Sequence, residues 1–313
     1  MPSLFDPIQL GAIHAPNRML MAPLTRGRAT RAHVPTPIMA EYYAQRASAG
    51  LILSEATGIS RQGLGWAYAP GLWNEAQTDA WKPVVEAVHQ AGGRIVAQLW
   101  HMGRLVHSDF LDGARPVSAS ATTAPGTVRT YPAEDSGEIR RPYGEARPLR
   151  TDEIPGILDD YANAARNAIR AGFDGVQIHA ANGYLIDQFL RDNANFRDDG
   201  YGGAIPNRVR LLREVTQRVV DTIGGDRTAV RLSPNGEVQG VNDSSPHALF
   251  EAAAAALDEI GIAFLEMREP RPGGTRGLPD HPPVHPVMRK VFKGPLALNA
   301  DYHFDDAQAV LDA

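Results

Sequence analysis

The sequence predicts an α/β fold of the (β/α)8 barrel type, and three observations carry that prediction. Short apolar runs alternate with amphipathic stretches along most of the 313 residues. Repeated strand–helix units of this kind imply parallel strands with helices outside them. The residues that look chemically useful gather where the apolar runs end, which is where a barrel of this type builds its site. The apolar content of 43% and charge content of 21% are ordinary for a chain that buries a large core. Residues 1–313 are accordingly read as a single barrel domain.

The elements follow in order. Residues 4–16 read as a short hairpin turning near Gly11 and plugging the barrel floor. Core strands are expected at 19–22, 50–54, 95–99, 175–179, 229–232, 263–267 and 296–298. Thr36-Pro37 and Ser245-Pro246 each place a capping hydroxyl before a proline at a first helical position. Ile154, Ile157, Leu158, Tyr161, Ala165, Ala168 and Ile169 recur with the period of a helix that buries one face, and Gly172 is its expected C-cap. Val209, Leu212, Val215, Val219 and Ile223 repeat the pattern before Gly224-Gly225. Residues 102–151 are rich in Pro, Gly, Ser and Thr without helical period, and are read as a lid or substrate-binding excursion after strand 3. These are seven strands, and barrel closure needs eight. Leu311-Asp312-Ala313 falls inside the helix after the seventh, so the eighth β/α unit is expected to be missing from this chain by C-terminal truncation.

Composition excludes several functions. A net charge of −5 and a pI near 6.1 argue against nucleic acid as a partner. No apolar run is long enough to span a bilayer, and Met1-Pro-Ser-Leu-Phe-Asp6 lacks the basic start of a leader, so no membrane and a cytoplasmic location are expected. With no Cys, there is no thiolate catalysis, disulfide or iron–sulfur cluster. Only Lys82, Lys290 and Lys293 occur, none at a strand end, which disfavours a Schiff-base aldolase.

The segment His179-Ala-Ala-Asn-Gly-Tyr184 follows the apolar strand 175–178. His179 and Asn182 are three apart, so one turn of backbone would aim both the same way, and both can donate hydrogen bonds to one oxygen. Tyr184 adds a phenolic proton. Two donors beside a proton source suit polarising a carbonyl or nitro group and protonating the adjacent carbon. A lone strand-end His is more often structural, and Tyr184 alone would more often be packed. The combination reverses the balance for His179. Arg231, on an apolar core strand, needs an anionic partner. Trp100 reads equally as core or site, and Trp66 more weakly as site. His281 and His285, two His in a Pro-rich loop, are read as solvated, and no metal is expected. The acidic start of Asp198-Asp199-Gly-Tyr-Gly-Gly203 repels phosphate, so that run is read as structural, leading into a helix near Asn207.

Six motifs then converge: Asn17-Arg-Met-Leu-Met-Ala-Pro-Leu-Thr-Arg26, Ser54-Glu-Ala-Thr57, Gln98-Leu-Trp-His-Met-Gly-Arg104, His179-Ala-Ala-Asn-Gly-Tyr-Leu185, Asp199-Gly-Tyr-Gly-Gly203 with Asn207-Arg208, and Val230-Arg-Leu-Ser-Pro234. In this order the chain resembles the Old Yellow Enzyme family of FMN-dependent ene-reductases, over essentially all its residues. Thr25 after Ala22-Pro23-Leu24 places the likeness in the classical branch. The resemblance implies bound FMN, NADPH or NADH as hydride donor, small activated alkenes as substrates, and a monomer or homodimer. It implies that Pro23, Leu24 and Thr25 line the flavin, with Thr25 on O4. Ala56 lets the ring approach the backbone, Gln98 binds the pyrimidine edge, and Arg231 lies near N1 and O2. His179, which also contacts the cofactor, and Asn182 hold the substrate oxygen above the ring, Tyr184 donates the proton, and Trp66 and Trp100 shape the cavity. Backbone amides at Asn299 and Ala300 are the implied phosphate contacts. The family's further phosphate contact after strand eight and its C-terminal aromatic lie beyond Ala313. The alternatives are a non-catalytic or degenerate flavin-binding barrel, favoured by the absent unit, and a flavin-free phosphate-binding lyase or isomerase. The lack of a barrel lysine and of a carboxylate cluster counts against the latter.

Overall fold

A computed structural model describes residues 2–131, 139–274 and 277–312. Its centre is a seven-stranded parallel sheet: β3 (Leu20–Met21), β4 (Leu51–Gly58), β5 (Ile95–Trp100), β10 (Gly175–His179), β11 (Thr228–Leu232), β12 (Phe264–Arg268) and β13 (Leu296–Asn299). They pair in chain order, with β3 and β13 at the two edges. All seven coincide with the expected strands to within one residue, except that β4 runs on to Gly58. Strands such as Gly-Val-Gln-Ile-His in β10 are buried throughout because they are covered on both faces.

The helices α1 (Pro37–Ala44), α2 (Glu75–Gln90), α3 (Ile154–Ala171), α4 (Leu185–Leu190), α5 (Ile205–Ile223), α6 (Pro246–Ile260) and α7 (His285–Val291) lie between the strands, and α8 (Phe304–Asp312) follows β13. The α3 stripe packs as its period predicts, and Gly172 ends the helix at φ 97°, the left-handed conformation a C-cap requires. Both marked helix starts hold, at Pro37 and Pro246, but the hydroxyls do not cap them. Thr36 and Ser245 make no side-chain cap bond, and the Thr36 hydroxyl donates to the carbonyl of Arg28 instead.

Two apolar layers result. Ile52, Ala97, Ile178, Val230 and Leu265 face the helices, while Leu51, Leu53, Val96, Ala229 and Phe264 fill the interior floor. The floor is closed by the antiparallel pair β1 (Ile8–Leu10) and β2 (Ile13–Ala15), as the N-terminal segment predicts. Its turn needs glycine: Gly11 sits at φ 61°, and a Cβ there would lie 2.1 Å from the carbonyl oxygen of Asp226. The excursion after β5 holds two small pairs, β6 (Val117–Ser118) with β9 (Arg147–Pro148) and the hairpin β7 (Thr127–Thr130) with β8 (Ile139–Pro142). One irregularity bears on the site. β4 pairs Leu53 with Val96 but Ala56 with Gln98, so an extra residue is inserted at Ser54–Glu55.

Candidate active site

Above the apolar floor the interior turns polar. Gln98 Nε2 donates to Gln177 Oε1 at 2.8 Å, and Gln177 Nε2 donates to Glu266 Oε2 at 2.7 Å. The other Glu266 oxygen pairs with Arg231 Nη1 at 3.0 Å, and Arg231 Nη2 reaches Asn299 Oδ1 at 2.8 Å. This ladder crosses five strands. Strand alternation turns these residues inward, and register sets Gln98 opposite Gln177 and Arg231 opposite Glu266. Arg231 thus has the anionic partner its burial demands, and that partner is Glu266. Arg231 Nε and Nη1 are nonetheless buried without a hydrogen-bond partner, Nη1 meeting Glu266 by charge alone. A cavity of about 550 Å³ between the edge strands β3 and β13 reaches the ladder at Glu266 and Asn299.

The turn 179–184 leaves β10 beside Arg231. It is not the helical turn that the three-residue spacing suggests. Asn182 (φ 57°) and Gly183 (φ 79°) are both left-handed, which Asn tolerates better than most residues. Side chains from around the turn hold it. Ser233 Oγ accepts from Asn182 N at 2.7 Å, and Gln239 Nε2 donates to Asn182 O at 2.8 Å. Asp187 Oδ2 accepts from Gly183 N at 2.9 Å, and Gln188 Nε2 donates to Gly183 O at 2.7 Å. Asp187 is itself locked by Arg191, 2.8 Å away and equally buried.

With its backbone satisfied, the turn leaves side chains uncommitted. His179 Nδ1 and Asn182 Oδ1 are buried without a partner. Burial, and then the Arg231 charge, hold the His179 imidazole well below its usual range, so it is neutral. Tyr184 packs edge-on against His179 and against Trp100, each at 4.9 Å between ring centres. Burial pushes its phenol up to about 12, against the pull of Gln239 beside it. The structure therefore brings His179, Asn182, Tyr184, Trp100 and Arg231 together. Trp66 lies 6.2 Å from Trp100 and is 40% exposed, at the mouth of the same aromatic group. Ala56 is buried in that cluster with Trp100 and Tyr184.

Pro23, Leu24 and Thr25 follow β3 as an irregular segment, with Leu24 exposed and Pro23 and Thr25 half-buried. Asn299 ends β13 and joins the ladder through its side chain, while the buried Ala300 sits at φ 150°. His285 departs from the solvated reading: its Nδ1 lies 2.8 Å from Glu269 Oε2, and the backbone N–H groups of Val284 and His285 also donate to that carboxylate. Among the described residues no group of His, Asp or Glu is arranged to hold a metal. Asp199 is structural, binding Arg197, Thr151 and the N–H of Tyr201 ahead of α5. Sequence reasoning missed Glu55, Gln177, Gln188, Gln239 and Glu266. A signal existed for Gln188: Asp187-Gln188 interrupts the apolar run Leu185–Leu190, every residue of which is buried.

FMN fits this donor set. A flavin pyrimidine edge is rich in hydrogen-bonding oxygens and nitrogens, and Arg231 Nε and Gln98 border the ladder where that edge would be held. Ala56 keeps the adjoining wall small.

Comparison with known proteins agrees. The NADH:flavin oxidoreductase / NADH oxidase family matches residues 3–312. A solved Old Yellow Enzyme homologue from Zymomonas mobilis is 64% identical with a TM-score of 0.95, covering 99% of this chain and 86% of that one. Morphinone reductase, solved in complex with tetrahydroNAD, is 46% identical with a TM-score of 0.92, covering 100% of this chain and 84% of that one. Putative 12-oxophytodienoate reductase 11 of Oryza sativa subsp. japonica is 41% identical over 305 residues, 97% of this chain and 82% of that protein. Barrel, ladder and turn thus accompany a match over nearly the whole chain, which belongs to the NADH:flavin oxidoreductase / NADH oxidase family, the Old Yellow Enzymes, as an FMN-dependent ene-reductase that draws on a nicotinamide coenzyme.

Proposed function

We propose that this enzyme reduces C=C bonds conjugated to a carbonyl or nitro group, in enones, enals, maleimides and nitroalkenes, within one barrel domain spanning 1–313. One observation carries the reading: His179 Nδ1 and Asn182 Oδ1 are buried without partners beside the Tyr184 ring. Leaving such groups unpaired costs roughly 1–3 kcal/mol each, so a ligand oxygen that accepts from His179 and from the Asn182 amide, once turned to present its N–H, is favoured. When bound, FMN supplies the hydride, having taken it from NADPH or NADH.

The chain's own residues do the rest. Pro23, Leu24, Thr25, Ala56, Gln98, Arg231, Asn299 and Ala300 hold the cofactor. Arg231 places its guanidinium charge at the ladder. Neutral His179 offers an N–H to the substrate oxygen. The amide of Asn182 offers another, since its oxygen and nitrogen exchange by a half-turn of the side chain. Two donors on one oxygen draw electron density from the β-carbon. Tyr184 holds its proton at Oη until the α-carbon accepts it. Trp66 and Trp100 bound the substrate and exclude water. The degenerate-barrel alternative is not favoured, because the family match runs over residues 3–312.

The test is an anaerobic spectrum of the FMN-loaded protein. Flavin bands that bleach with NADPH and return on adding cyclohexenone support the reading. Bands that bleach but never return with any enone or nitroalkene refute it.

A further inference from the structure

Glu55 is a buried acid that the proposed reaction does not use. It is 1% exposed, and among the described residues no Lys or Arg is salt-bridged to it, although the Arg26 charge lies near enough to favour its ionised form. Its Oε2 accepts from the backbone N–H of Arg26 at 2.9 Å and of Gly27 at 3.0 Å. Its Oε1 accepts from the Tyr43 hydroxyl at 3.4 Å, and that hydroxyl in turn accepts from Glu55 N at 2.7 Å. The carboxylate thus joins β4, α1 and the segment after β3 that carries Thr25.

The bulge explains how Glu55 comes to point there. Leu51 and Leu53 face the barrel interior, so unbroken alternation would send Glu55 inward and Ala56 outward. The extra residue at Ser54–Glu55 reverses the parity, and Ala56 enters the Trp100–Tyr184 cluster. Ser54 repairs the ladder it interrupts: its Oγ accepts from Gln98 N at 3.0 Å and donates to Glu55 O at 2.9 Å. Gly27, at φ 60°, completes the turn that the carboxylate grips.

We propose that Glu55 is a positioning residue for the flavin: by clamping the Arg26 and Gly27 amides it fixes Thr25 opposite Ala56, and the Ser54–Glu55 bulge is what turns clamp and wall to their two sides. The inference rests on the flavin reading of Thr25 and Ala56. Glu55→Leu removes the acceptor, whereas Glu55→Gln keeps one carbonyl oxygen for both amides.

Three readouts test it. In the FMN-free protein, hydrogen exchange at the Arg26 and Gly27 amides accelerates in Glu55→Leu and stays slow in Glu55→Gln. FMN binding, followed by quenching of flavin fluorescence, weakens roughly tenfold in Glu55→Leu, as expected for losing a charge-assisted contact. The flavin midpoint potential falls in Glu55→Leu and in Thr25→Ala, and the double variant falls no further than the larger single effect, because the two share one contact. Tyr43→Phe, which keeps the core volume, moves the same readouts in the same direction and replaces Glu55→Leu if that variant does not fold. Wild-type FMN affinity and potential in a variant with accelerated exchange would overturn the proposal. Failure of the functional reading looks different: wild-type protein that binds FMN normally but reduces no alkene.

Discussion

Gln188 Nε2 donates to the carbonyl of Gly183 at 2.7 Å, from inside the helix that the active-site turn begins. The same nitrogen reaches Met102 O at 3.1 Å, while Oε1 accepts from Arg104 N at 3.1 Å and Ser118 Oγ at 2.8 Å. One fully buried amide therefore ties the turn to the excursion after β5. Gly103 makes room for it, since a Cβ there would lie 2.2 Å from Oε1. Gln188→Leu strands these groups where water does not reach, and each stranded group costs about 1–3 kcal/mol, so a loss of at least ~3 kcal/mol in unfolding free energy is expected. Gln188→Glu should also destabilise, because a carboxylate cannot donate to two carbonyls. Urea denaturation measures both; a loss too small to resolve would show that the turn is held without this amide.

Tyr184 is expected to act late in the reaction. Its phenol, pushed up to about 12 by burial, remains protonated through the neutral range and is available as a donor. Tyr184→Phe should slow alkene reduction by about 10²–10⁴-fold, the usual contribution of a positioned acid. Flavin reduction by NADPH should be largely unchanged. Stopped-flow measurement of the two half-reactions separates them, and equal losses in both would remove Tyr184 from the proton-donor role.

Much of this was legible in the sequence, and the parts that were not share a cause. The strands 175–179 and 228–232 show as apolar runs because parallel strands are buried on both faces. His179 and Tyr184 show because they follow a strand end. Glu55 does not, since its role depends on a one-residue bulge that no local pattern announces. Gln177 and Glu266 read as ordinary strand polars until register places them in one ladder. Gln239 belongs to a segment 57 residues from the carbonyl it holds. Periodicity records what is buried; it does not record partners distant in sequence.

The Arg231–Glu266 pair yields an asymmetric prediction. Both side chains are nearly inaccessible, and Glu266 leans on Gln177 as well. Arg231→Met leaves a buried carboxylate facing one amide, and breaking such a pair from one side typically costs about 3–5 kcal/mol. Adding Glu266→Gln removes the stranded charge and should recover much of the loss. FMN binding should stay weak in both variants, since neither restores the cation at the ladder. Stability recovered together with FMN affinity would mean that Arg231 serves the fold alone.

The buried histidines predict acid sensitivity before the carboxylates titrate. His101, enclosed beneath Gly63, is held down to about 3 by burial, and His179 is lowered well below 6.5 by burial and Arg231. The sign follows from which state binds the proton. Below pH 6.5 the unfolded chain protonates both imidazoles while the folded chain does not, so protons favour unfolding and stability falls with falling pH. Each such group contributes up to ~1.4 kcal/mol per pH unit within that window. Between pH 6.5 and 5 the unfolding free energy should therefore decline steadily, and His101→Gln should make that decline shallower, because one linked proton is gone while His179 and His33, both lowered by burial, keep theirs. Urea midpoints collected across the window at constant ionic strength provide the measurement. A slope unaffected by His101→Gln would show that the folded protein accommodates a charged imidazole at that site.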